Sequence, residues 1–166
     1  IQYQDESDLF LYKFGNVDAP VNLIKSNNGL STVTKTRNTQ IIGKKLSFSF
    51  SGDKKKLEDV VKSLCVQVDF LNEGLTSQSA FIEAFVSKDL SLLSSQIHLN
   101  CPTNLFPIIQ QHFRSFAPNF KDATIEKSKL FYSQNGTMLN AQNISKSRKL
   151  GCQAIELIAK VNTIFS

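Results

Sequence analysis

The clearest pattern of apolar and polar positions runs from Leu46 to Leu71, LSFSFSGDKKKLEDVVKSLCVQVDFL. Leu46, Phe48 and Phe50 alternate with Ser47, Ser49 and Ser51, the two-residue period of a half-buried strand. Gly52 permits a turn, and Asp53 is placed to cap the first amides of a helix. Leu57, Val60, Val61, Leu64, Val68 and Leu71 then recur at i, i+3, i+4 and i+7, forming one apolar stripe. A strand answered by such a helix predicts a helix packed across a small sheet or barrel.

Upstream, residues 1–52 read as a meander of strands at 9–14, 21–25, 30–35 and 41–50, punctuated by Gly15-Asn16, Asn27-Asn28-Gly29 and Arg37-Asn38. Gly74 stops the helix that begins at Asp53. Beyond it, apolar spacing predicts helices over Ser77–Val86 and Asp89–Ile97 and one capped by Thr103 that ends before Pro118. ATIEKSKLFYS, the turn Gln134-Asn135-Gly136 and TMLNA read as a hairpin, and Ser145–Phe165 as one long final helix. The expectation is α+β: an antiparallel sheet or partial barrel closed by the amphipathic helix, then a mainly helical half with one hairpin. The boundary falls near Gly74, giving a 1–74 sheet-plus-helix domain and a 75–166 helical region packed on it or standing apart.

Composition refines this picture. A chain of 166 residues with 41% apolar and 20% charged residues has an ordinary globular balance. Thirteen Phe and no Trp point to rings without polar handles, suited to a core rather than a stacking platform. No apolar run approaches the roughly 20 residues that span a bilayer, so no membrane partner is expected. The opening IQYQDESDLF has neither Met nor the basic and apolar regions of a signal peptide, which suggests a fragment or processed chain. Cys65, Cys101 and Cys152 are too far apart for a Cys-x-x-Cys motif; Cys65 and Cys152 read as helical core residues. The sequons at Asn135 and Asn143 read as turn and helix-entry residues, and the compartment as the nucleus, with cytoplasm as the alternative.

Little catalytic chemistry is legible. His98 and His112 lack a second ligand at metal spacing, and His112 reads as a partly buried, hydrogen-bonded residue. Phosphate-binding glycine loops and nucleophile elbows are missing from the sequence, and the acidic residues are scattered. No enzyme, cofactor or metal is expected. The net charge is +5 and the pI about 9.1. Candidate nucleic-acid contacts are Lys54, Lys55 and Lys56, which oppose the dipole at a helix start, and Lys146, Arg148 and Lys149. The bland alternative is a solvated helix face. The Asn16–Pro20 turn carries Asp18 and no basic residue, unlike a phosphoinositide-binding loop.

Phe48, Phe50, Ser51 and Gly52, followed by Leu57–Phe70, resemble meiotic double-strand-break accessory proteins of the Rec class, a likeness confined to residues 45–71. In that family an N-terminal pleckstrin-homology-like domain ends in an aromatic-x-aromatic-Ser-Gly strand before a charged break and a long helix. The resemblance implies a non-enzymatic scaffold in a nuclear assembly initiating meiotic recombination. It would join a helical protein subunit and recruit a topoisomerase-VI-like core through the barrel surface. The competing readings are direct DNA or RNA binding through the lysines and arginine above, and a kinetochore-type structural domain. Oligomer formation is compatible with each.

Overall fold

The computed structural model describes residues 45–166. Six α-helices dominate them: α1 (Lys54–Val68), α2 (Gln78–Val86), α3 (Phe106–Phe113), α4 (Asp122–Ser128), α5 (Ala141–Leu150) and α6 (Ile155–Phe165). Two strands of two residues each, β1 (Ile97–His98) and β2 (Phe131–Tyr132), pair in parallel, with Ile97 opposite Phe131 and His98 opposite Tyr132. Single antiparallel bridges, Leu71 to Leu99 and Tyr132 to Met138, extend this pair on either side.

The expected antiparallel sheet or barrel is therefore overturned among the described residues. The strands read at 9–14, 21–25 and 30–35 lie outside them. Residues 46–51 keep the predicted alternation, with Phe48 buried and Ser49 and Ser51 exposed, but they pair with loops. Leu90 N donates to Leu46 O (2.6 Å), Asn119 N to Phe48 O (3.2 Å) and Ser51 N to Phe116 O (3.0 Å). Asn119 Nδ2 also donates to Ser47 O. Ser49 adopts a left-handed φ of 58°, which breaks the extended run between the two Phe side chains. Alternation reports which side chains are buried; it does not say what satisfies the backbone.

α1 forms as its stripe requires. Asp53 accepts from Lys55 N at 2.7 Å, and Leu57, Val60, Val61, Leu64 and Val68 are all buried. The helix ends at Asp69 in the left-handed region (φ 51°), five residues before Gly74. Leu71, the last stripe residue, is buried through the Leu99 bridge. Ser77 caps α2 through Ala80 N (3.1 Å). The helix expected at Asp89–Ile97 is a single 3-10 turn, Leu90–Leu92, followed by β1. The expected hairpin is shortened to its tip, since Asp122–Ser128 is α4 rather than strand; Tyr132 bridges Met138 antiparallel, and Gly136 N donates to Ser133 O and Leu139 N to Phe131 O, both at 2.8 Å. The single final helix is two: Gly151, with φ 68° and ψ 163°, closes α5 in a conformation open essentially to glycine, and α6 begins four residues later.

These elements meet on a cluster of phenylalanines. Eight of the eleven Phe among the described residues are buried. Phe85 on α2 is the hub: its ring centroid lies 4.8 Å from Phe113, 4.9 Å from Phe120, 5.4 Å from Phe81 and 5.7 Å from Phe48. Edge and tilted pairs predominate, the geometry the ring quadrupole favours. α6 packs on α1 and α3, while α5 packs on α3 and α4. Every buried side-chain nitrogen or oxygen among the described residues has a hydrogen-bond partner.

Candidate functional site

The six basic residues singled out in the sequence form two groups on different helices. Lys54, Lys55 and Lys56 occupy the exposed first turn of α1, where Lys54 Nζ lies 3.8 Å from Glu58 one turn on. Lys146, Arg148 and Lys149 are exposed on α5. Lys56 sits beside Asn162 and Phe165 at the C-terminal end of α6, whereas the α5 group precedes its N-terminal end. An 11-residue helix rises about 16 Å, so the two groups do not merge into one continuous basic stripe.

Arg148 is committed to the fold. Its Nη1 donates to Asp122 Oδ2 (3.0 Å) and its Nη2 to Asp122 Oδ1 (2.9 Å) and Gln110 Oε1 (3.1 Å). Gln110, only 1% exposed, completes the network by donating to Asp122 Oδ1 and Phe120 O. This ties α3, α4 and α5 together with a bidentate fork. Partial burial alone would raise the Asp122 carboxyl, but hydrogen bonds from Arg148 and Gln110, with the positive charges of Arg148 and Arg114, hold it below the usual carboxylate range. The partners stand 12, 26 and 38 positions apart, so no local spacing could have announced them.

On α5, Lys146, Lys149 and Leu150 share one face at i, i+3 and i+4. Leu150 is 69% exposed, and Ile155, across the four-residue break, is 79% exposed. α6 is anchored by its C-terminal half: Val161 is fully buried, and the Phe165 ring lies edge-on to Phe113 at 5.2 Å. Its Leu157 and Ile158 are half-buried. The helix is therefore more apolar than its burial within the described residues requires. The long-helix expectation hid this feature, because Ile155 falls on the stripe of an unbroken helix but not on the buried face of the real one.

A second surface is the cleft between α1, α3 and α6, about 580 Å3 in volume. His112 Nε2 donates to Asn162 Oδ1 at 3.0 Å, and its ring stacks on Phe165 at 4.7 Å. The expectation of a hydrogen-bonded, partly buried His112 matches this arrangement. Gln111 and Ser115 from α3 and Lys56 from α1 complete the polar lining. His98 instead stacks on Tyr132 at 5.0 Å and bonds Gln96 (3.2 Å).

The cysteines are set apart from this chemistry. Burial pushes the Cys65 thiol up to about 11 and the Cys101 thiol up to about 12, so neither offers a thiolate at neutral pH. Cys152 lies in the α5–α6 break, not in a helix as expected. No group of three or more His, Cys, Asp or Glu side chains is placed to hold a metal among the described residues. No helix among them is long and apolar enough to cross a membrane.

Among the described residues, fold and surfaces together define a small, predominantly helical domain with a phenylalanine core, a basic-and-aliphatic C-terminal face and a polar-lined cleft. The chain belongs to the family of unknown function DUF6617, whose model matches residues 9–163. No curated protein and no solved structure matches it.

Proposed function

We propose that the protein is a non-enzymatic interaction module that binds an acidic amphipathic helix of a partner protein on its α5–α6 face. The observation that supports this most directly is the pairing of exposed Leu150 and Ile155 with a basic surround. Residues 141–166 carry Lys146, Arg148, Lys149 and Lys160 against the single acid Glu156. Arg148 pairs with Asp122, and Lys160 with Glu156 at 2.8 Å, so Lys146 and Lys149 remain to meet a partner. Covering an exposed Leu or Ile side chain is worth about 1.5–3 kcal/mol each. An amphipathic helix presents apolar anchors along one face, and carboxylates along its edges complement the lysines. A second copy of this chain fits less well, because it would bring the same basic surround against itself.

The meiotic scaffold reading shares this broad class, but its specific route runs through the surface of a barrel, and residues 46–51 do not form a barrel strand here. Direct nucleic-acid binding is the competing class. Fluorescence anisotropy decides between them, using a labelled peptide helix with a leucine stripe and glutamate flanks, and a labelled DNA duplex, each titrated at low and high salt. The proposal expects saturable peptide binding that persists at high salt. Duplex binding with a steep salt slope and no peptide binding would overturn it.

A further inference from the structure

The α1–α3–α6 cleft is separate from the α5–α6 face and has its own recognition chemistry. Its volume of about 580 Å3 lies within the range of small-molecule sites. Two kinds of lining converge in it. Val60, Ile108 and Phe116 supply an apolar wall. Lys56, Gln111 and Asn162 supply donors. The His112 hydrogen bond commits Asn162 Oδ1 to the imidazole, which leaves the Asn162 Nδ2 protons as the group this amide offers the cleft. Ser115 Oγ is turned back onto His112 O at 2.7 Å, so its hydroxyl proton is already used.

We infer that this cleft binds a small organic monoanion, a carboxylic acid with an apolar body, its carboxylate met by Lys56 and the Gln111 and Asn162 amides and its body by Phe116, Ile108 and Val60. The charge count selects the class. One lysine and no acidic side chain line the cleft, which favours an anion but provides a single full positive charge to balance it. A phosphate dianion calls for the denser cation or backbone-amide cradles typical of phosphate sites. The apolar wall disfavours an anion without a hydrocarbon body. The His112–Asn162 bond and the Phe165 stack fix the α6 side of the cleft before a ligand arrives, which lowers the ordering cost of binding.

The test is an NMR titration of the full chain with hexanoate, following the side-chain amide resonances of Gln111 and Asn162. Hexanol serves as the neutral analogue and inorganic phosphate as the dianion. The expected result is a saturable shift with hexanoate, with weaker response to hexanol and to phosphate. Lys56→Gln should weaken hexanoate binding about five-fold or more, whereas Lys55→Gln, on the same exposed turn but outside the cleft, should leave it unchanged. Both lysines are exposed, so neither substitution threatens the fold. Absence of saturation, equal binding of hexanol, tighter binding of phosphate, or indifference to Lys56→Gln would each overturn the inference.

Discussion

At the residue scale, Phe85 and Arg148 carry unlike burdens. Phe85 packs against the rings of Phe48, Phe113 and Phe120 as well as Phe81 on its own helix, so truncation leaves a cavity that none of them can fill without repacking the others. Phe85→Ala is expected to cost about 3–5 kcal/mol, read as a lower urea midpoint. Arg148 is half-exposed, and its pairing with Asp122 is correspondingly discounted. Arg148→Ala should cost about 1 kcal/mol near neutral pH, mostly by leaving Gln110 and Asp122 short of a donor. Asp122 has a folded-state value depressed below its ordinary 3.8. The stability it contributes is therefore fully present above that value and lost as pH falls below it, through the folded value. The gap in urea midpoint between wild type and Arg148→Ala should thus be constant from pH 7 to about 5 and narrow below about 4.

At the element scale, much of the helical content was legible. The α1 stripe and its Asp53 cap, and the helix read over Ser77–Val86, follow from local rules that need no knowledge of the fold. The failures have physical causes. In residues 46–51 the strand pattern was real as a burial pattern, but its backbone partners are the Asn119, Phe116 and Leu90 loops, contacts between positions some 40 to 70 apart in sequence. ATIEKS carries β-branched residues yet forms α4, because Thr124 and Ile125 on one side are buried while Asp122 is held by Gln110 and Arg148. In the final segment the apolar period continues across Gly151, and only the glycine marks the break. Of the candidate sites, the lysines were legible as exposed, but neither the cleft nor the Arg148 network was, since both are assembled from distant helices. Gly151 offers a direct check at this scale. A Cβ there meets nothing within 4 Å, so any cost of Gly151→Ala is conformational. A loss of about 1–3 kcal/mol is expected in chemical denaturation; an unchanged midpoint would mean that the break between α5 and α6 does not depend on glycine.

At the scale of the whole described unit, the fold separates its tasks. The phenylalanine cluster holds α2, α3 and the 46–51 segment, the Gln110–Asp122–Arg148 network fixes α5 on α3 and α4, and Phe165 with His112 fixes the far end of α6. What these anchors leave exposed between Lys146 and Ile155 is two large aliphatic side chains, Leu150 and Ile155, and two lysines, Lys146 and Lys149. If that face is a binding surface, it contributes little to folding and much to association. The measurement that tests this most directly compares wild type with a Leu150→Glu, Ile155→Glu double variant, recording the thermal midpoint and the affinity for the acidic amphipathic peptide together. The account predicts a midpoint shifted by no more than about 4 °C, as for surface substitutions, and an affinity reduced about ten-fold or more. A collapsed midpoint would show that these side chains serve the folded core, and an unchanged affinity would show that the partner helix does not dock there.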